Sequence, residues 1–492
     1  MSSSRGNART KRNEASVSSR QSSDCIDPDP ANTITDRLNA ALSSGGDGYK
    51  LSLCPSAQYI ITAPIKFASP NQEISTSGYP TGDERATLVV DGAVENGSGH
   101  TTAVDGTCST CGGVKLRNIQ INGTRLGAPP TNGGANIEFG GDNSGQLIEY
   151  VRSYDPRSWS CLHLAEGTFQ CNNATVQHND IGPCGSDAFQ QWADGISVSC
   201  RNSYIFNNTL ANPTDGGIVL FGAPGTLVEN NLIWVENQTL LGGINMVDFD
   251  PWSGDYTGTV VRNNTIMGGF ATDTSDEDSE TKGTNDEDVI IKIGIAIGPR
   301  TWFGNQYGDD QNKNGYVHDN KLSGAFGYGM AVSSANNFTV QDNVLTGNTS
   351  FIGSRGPNCS TTDSVPTPAA FVVQWNNTIA TSLQSDFQSI QDADGLTCIL
   401  PPDGGDYWPF GGNPSNSSSA GNPTSSGQSD PSTSSHGGSH AGRTAGIVVG
   451  VIAGIVAALL ATYSIRRWAV RRRRVPNNQY FMTQRSSAYT HG

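Results

Sequence analysis

Apolar and polar residues alternate in short runs along the middle of the chain, and the runs repeat. In DGISVSCRNSYIFNNTLAN (194–212), Ile196, Val198 and Cys200 share one side of an extended strand. The same side is apolar at Ile218 and Leu220, at Ile244 and Met246, at Ile293, Ile295 and Ile297, and at Met330 and Val332. Each unit has a Gly-led strand, a turn, a second short strand, and an Asn before an aliphatic pair. The Asn anchors are Asn208, Asn231, Asn264, Asn320 and Asn343, spaced by 23, 33, 56 and 23 residues. Similar pieces occur upstream at 116–123 and 176–182. A period near 22 with two or three short strands per unit predicts a parallel β-solenoid. One rung cannot bury its own apolar side, so it stacks on the next. The recurring Asn suits a left-handed bend and can hydrogen-bond its copy in the next rung. Upstream, residues 22–65 predict a cap with a helix near Ile34–Leu42, N-capped by Asn32 or Thr33.

Aligning the units puts Ser197, Val219, Asn245, Ala296 and Ala331 in one outward row without a carboxylate. Irregular spacings mark inserted loops. The largest, at 272–289, holds eight acids and one Lys and reads as a solvated loop. Asp310 to Gly315 matches the first half of a calcium loop, but the twelfth position is Lys321, so it reads as a turn. No metal or cofactor is expected.

This repeat resembles the right-handed parallel β-helix proteins of the pectin-lyase-like superfamily, in the form found in fungi. The cap, the CRNSYIFNNTL and GTLVENNLI rungs and DGGIVLFGAPGT carry the resemblance, which covers about residues 24–400. It implies an all-β, right-handed parallel β-helix at 24–410. It also implies a choice among polygalacturonases, polysaccharide lyases, epimerases and non-catalytic adhesins, which the fold alone does not make. Polygalacturonases share the Asp-Gly step and clustered aspartates; their Gly-His-Gly and Arg-Ile-Lys elements do not occur here.

Composition and charge add the compartment. Gly is 59 of 492 residues and Asn 41, as turn-rich rungs require. The net charge of −15 is an average. Residues 1–23, a polar segment, carry five basic residues and one acid; 464–492 carry seven Arg. The remainder is 18 basic against 44 acidic, or −26. That body lacks the phosphate attraction a nucleic-acid partner needs. Ala445–Ile465 is an uncharged run of 21 residues, long enough as a helix to span a bilayer core. Arg466, Arg467 and Arg471 to Arg474 follow, so the 466–492 tail is expected to be cytoplasmic and residues 1–444 outward or lumenal. Gly446, Gly450 and Gly454 form two small-xxx-small units suited to a helix homodimer. Residues 411–444 read as an O-glycosylated Ser/Thr/Pro/Gly stalk. Residues 1–23 hold no apolar stretch, so the translocation signal is expected to be missing from this N-terminus; the alternative is a tail-anchored protein with a cytosolic body. The stalk and an even count of ten cysteines favour the first. Eleven N-x-S/T sequons only permit glycosylation, since this composition gives roughly eight by chance. Cys184–Cys200 and Cys359–Cys398 are candidate disulfides by proximity, with connectivity open. Cys108 and Cys111 read as a structural bridge, because no second pair stands at metal-ligand spacing.

Two kinds of chemistry fit a polysaccharide. Hydrolysis needs carboxylates on adjacent rungs, and Asp194, Asp215 and Asp248 are the candidates, with Trp252 placed to stack on a sugar ring. Asp-Gly before a strand is also an ordinary turn. Elimination needs a base and a cation for a uronate carboxylate. His163 and His318 are candidate bases, and Lys292 and Arg300 candidate substrate-binding cations. The sequence thus supports a carbohydrate-active hydrolase or lyase, or else a non-catalytic surface module that binds glycans or partners.

Overall fold

The computed structural model describes residues 25–269, 289–355, 359 and 366–398. Those residues form an all-β solenoid of parallel ladders, capped by one helix. The stalk, the 445–465 span with Gly446, Gly450 and Gly454, the basic tail and most of the acidic insertion lie outside the described residues. No helix among the described residues is long and apolar enough to cross a membrane.

Each rung contributes three strands. An 11-stranded sheet, here sheet A, stacks short strands from Lys50–Leu53 through Tyr204–Phe206 to Ser382–Leu383. The other two faces merge into one 20-stranded sheet, because the long strand Lys321–Val332 pairs with both Thr265–Met267 and Ile291–Ile297. The face that includes Ile291–Ile297 is called face B below, and the other face C. The register on face B is the one the repeat predicts: Ile196 pairs with Ile218, then Ile244, Ile295 and Met330, all with 0% exposure. Glycines make that stacking close. A side chain at Gly195, Gly217, Gly243 or Gly294 would run within 2.6 Å of the carbonyl of the next glycine in the column.

The Asn ladder forms and starts one rung earlier than the anchors, at Asn179. Each Nδ2 donates to the next Oδ1 at 2.8–2.9 Å, from Asn179 through Asn208, Asn231, Asn264 and Asn320 to Asn343. One expectation needs correcting. The left-handed residue is not the ladder Asn but the one before it: Asn207, Asn230, Asn263, Asp319 and Asp342 have φ of 54–56°. That division leaves the ladder side chain free to point inward while its neighbour makes the corner.

Helix α1 (Ile34–Gly45) covers the first rung through Ile34, Leu38 and Leu42, one turn apart and fully buried. Asn39 seals the junction, donating to Pro64 O and accepting from Lys66 N–H. Thr33 stands at the N-cap, but its hydroxyl bonds back to Pro30 O.

Five disulfides are present: Cys25–Cys54, Cys108–Cys111, Cys161–Cys184, Cys171–Cys200 and Cys359–Cys398. The Cys108–Cys111 bridge and the Cys359–Cys398 pair follow the sequence reading. Cys184–Cys200 does not form. Cys171–Cys200, 29 residues apart, joins equivalent positions of neighbouring rungs, beside the paired Asn172 and Arg201, and Cys161–Cys184, 23 apart, ties the strand Ser160–Ala165 to the turn after Asp180–Ile181. Five bridges are the mark of a domain that matures outside the reducing cytosol.

Candidate functional site

Strand register builds the outer row of face B residue by residue. Ser197, Val219, Asn245, Ala296 and Ala331 pair in sequence as the alignment predicts. They are not exposed, however: each is 0–3% accessible. The row also continues upstream, where Ser197 pairs with His163, His163 with Glu138, Glu138 with Asp105 and Asp105 with Lys66. So the row does carry carboxylates, in rungs whose strands lack the Gly-led pattern. Glu138 and Asp105 were missed for that reason. The signal that could have found them is the spacing, 25 residues from Glu138 to His163 and 34 from His163 to Ser197.

His163 Nδ1 lies 2.9 Å from Glu138 Oε2, and both residues are buried. The other carboxylate oxygen of Glu138 accepts Ala135 N–H at 2.6 Å, which holds the group in place. The Trp159 ring packs edge-on to the imidazole, centroids 4.9 Å apart. One rung on, Ser197 Oγ lies 2.9 Å from Ser160 Oγ and donates to Asp194 Oδ2 at 2.8 Å. A carboxylate that accepts Nδ1–H leaves Nε2 with the lone pair, the form a general base needs.

Asp194 and Asp215 sit on successive rungs, Asp194 level with Gly216 and Asp215 one residue earlier. Asp194 has 0% exposure, and its Oδ1 accepts Gly216 N–H at 3.0 Å. Asp215 and Asp248 are buried too. Burial first, and the Asp248 charge second, push the Tyr256 hydroxyl pKa well above its usual range. The indole N–H of Trp252 donates to Ser199 O at 2.8 Å, and its ring meets Phe169 edge-on.

Lys292 lies on the outer side of its strand, as its parity predicts, but it is covered. Its Nζ donates to Thr397 O at 3.1 Å and lies 3.4 Å from Cys359 Sγ. Burial brings its pKa down to about 7, against a smaller upward pull from Asp187. Arg300, in helix α2 (Arg300–Phe303), forks onto Asp394 with contacts of 2.6 and 2.9 Å. The structure therefore brings Glu138, His163, Ser197 and Asp194 together on one face, and draws Lys292 and Arg300 to the segment 394–398. His318 belongs to sheet A, where it pairs with Asp319 and stacks on Tyr316.

No protein-family model and no curated protein matches the chain. Among solved structures, it is similar to PfbA, a surface adhesin of Streptococcus pneumoniae, at 13% identity and TM-score 0.39, covering 73% of this chain and 88% of that one. The A-module of a mannuronan C-5 epimerase from Azotobacter vinelandii gives 12% and 0.40, covering 74% and 88%. An alginate lyase from Paenibacillus gives 13% and 0.37, covering 64% and 96%. At these values the likenesses decide nothing about what this chain does, and the parallel β-helix stands on its own ladders.

Proposed function

We propose that the protein is a surface β-helix, anchored through 445–465, that acts on polysaccharide through an acid–base centre at Glu138 and His163. The observation that carries this reading is the 2.9 Å contact between His163 Nδ1 and Glu138 Oε2 on the outer row of face B. Glu138 fixes the tautomer, and His163 Nε2 takes the proton, from water in hydrolysis or from the carbon beside a uronate carboxyl in elimination. Asp194, Asp215 and Asp248 supply the carboxylates a glycosidic bond needs on the following rungs, and Trp252 the stacking face. Lys292 and Arg300 enter as fasteners of the 394–398 segment rather than as direct substrate contacts. With both cations engaged and a body of −26, an uncharged substrate and hydrolysis are favoured over a polyuronate and elimination.

The test is to incubate the full-length chain with neutral and uronate polysaccharides. New reducing ends are expected, and His163→Ala should lower their rate by about 10²-fold or more. Glu138→Gln should cost about tenfold or more, because it no longer holds the imidazole as a base. Absence of both reducing ends and unsaturated products would exclude the enzyme. A non-catalytic glycan-binding module is the second reading, and it is favoured by the complete burial of Asp194 with both oxygens engaged.

A further inference from the structure

Among the described residues the solenoid is capped at one end only. Helix α1 covers the first rung, but the strand Val344–Phe351, the last on face C, has a ladder partner on one side alone, Lys321–Val332. Its inward residue shows the effect. Ile233, Ile266 and Leu322 in that column are fully buried, whereas Leu345 is 38% exposed. Val344 beside it is exposed too, as are Trp375 and Ile379 on the following turn, where Thr378–Ile379 ends its own small sheet. An apolar edge of this kind pairs with other chains unless something covers it.

Two N-x-S/T sequons stand at this edge. Asn348-Thr349-Ser350 lies inside the edge strand. The register jumps from Leu322–Leu345 to Gly324–Thr349, so Thr346, Gly347 and Asn348 bulge out where the partner strand has Ser323 alone. Gly347 has a φ of 63° and open space beside it. Asn376-Asn377-Thr378 begins in the turn Trp375–Asn377. Both Asn348 and Asn376 are exposed, and neither side chain makes a hydrogen bond within the described residues. Exposure sorts the other sequons as well. Twelve Asn are buried and none begins a sequon; the one with a hydroxyl two residues on, Asn212, is followed by Pro213, which forbids transfer. Of the nine sequons in the described residues, eight have an exposed Asn.

We propose that N-linked oligosaccharides on Asn348 and Asn376 cover this end of the solenoid and keep copies of the chain from pairing through its open edge. In the transfer, Nδ2 of each Asn bonds to C1 of the first sugar of a lipid-pyrophosphate-linked oligosaccharide. The C1–O bond breaks, the lipid pyrophosphate leaves with its electron pair, and the amide gives up one proton. The attached sugars are bulky and solubilising, which supplies here the solvated outer surface that α1 supplies at the first rung. The proposal rests on the outward placement of the body and is independent of the Glu138–His163 centre.

The test takes the full-length chain, purified in detergent from the membranes of a eukaryotic host, and maps its glycans by enzymatic release that leaves Asp at each occupied site. Asn348 and Asn376 should both be occupied. The double variant Asn348→Gln/Asn376→Gln alters two exposed side chains, so it should melt within about 3 °C of the parent. In sedimentation velocity it should self-associate at a concentration about tenfold lower. Ser350→Ala removes the first sequon with Asn348 in place, so combined with Asn376→Gln it should associate as the double variant does. Asn207→Gln/Asn263→Gln removes two sequons from interior rungs and should leave association unchanged. Occupied sites elsewhere with Asn348 or Asn376 bare would overturn the proposal and leave the outward placement standing. No occupied site anywhere would overturn both. Unchanged association in the end variants, or a parent dimer that Leu345→Asp breaks apart, would overturn the covering role.

Discussion

Replacing Asn231 with alanine is expected to cost the domain about 4 kcal/mol and to lower its melting temperature by about 5 °C. The size of the effect comes from how many groups one side chain serves. Asn231 Nδ2 donates to Asn264 Oδ1 and to Ile205 O, each at 2.9 Å. Its Oδ1 accepts the Asn208 backbone N–H at 3.0 Å and Asn208 Nδ2 at 2.9 Å. All of this lies where water does not reach, since Asn231 is 1% exposed. Alanine removes both ends at once: on the preceding rung it strips the Asn208 N–H and Nδ2 and Ile205 O of a partner, and on the next it leaves Asn264 Oδ1 with only the Asn231 backbone N–H. Each orphaned group costs roughly 1–3 kcal/mol, and partial relaxation brings the sum down. The control lies one residue from the next ladder position. Asn263 makes the exposed left-handed corner before Asn264, so Asn263→Ala should cost about 1 kcal/mol. Equal effects at the two positions in thermal melts would show that the ladder does not hold the rungs together.

Lys292→Met should stabilise the domain at pH 6 by several kcal/mol, and the gain should disappear towards pH 10. The sign follows from proton counting. Unfolded, the lysine titrates at its ordinary 10.5; folded, burial lowers this to about 7. Between those values the unfolded chain holds a proton that the folded chain has released, so parent stability rises with pH across that window. Below pH 7 both states are charged, and the folded state carries the whole cost of an ammonium taken out of water. Methionine fills similar volume without that charge, at the loss of the contacts Nζ makes, among them those to Thr397 O and Cys359 Sγ. Melting curves at pH 6, 8 and 10 decide the matter. A difference between parent and variant that does not change with pH would exclude a charge-burial origin.

The parts of the fold that were legible in the chain are those where neighbouring residues decide the outcome. Alternation at Ile196 and Ile218 settles which side faces in, because a strand has only two sides. The Asn anchors were legible because a ladder needs the same side chain at the same corner. What escaped was set by distant segments. The outer side of Lys292 was assigned correctly, yet its cover comes from Thr397, 105 residues later. Cys184 lies closer in sequence to Cys200 than to Cys161, but Cys200 stacks on Cys171 one rung back and bonds to it, and Cys184 bonds to Cys161 in the strand Ser160–Ala165. Glu138 was invisible because NIEFGG has no Gly-led entry, and only the ladder from His163 places it in the row.

The fastening of residues 394–398 also sets how the molecule carries force. Arg300 grips Asp394, Gly395 and Leu396 N–H donate to Arg300 and Thr301 carbonyls, and Cys398 is bonded to Cys359. Lys292 and Arg300 belong to the rung of Ile291–Ile297, three pairings in from the last strand at Gln388–Ser389. A pull on the chain beyond Cys398 is therefore delivered to an interior rung. The exposed terminal rungs are bypassed and cannot be peeled one at a time from their end. To yield from that end, the domain must first give up an anchor held by an ion pair and a disulfide, so its resistance is set by that fastening rather than by the last ladder.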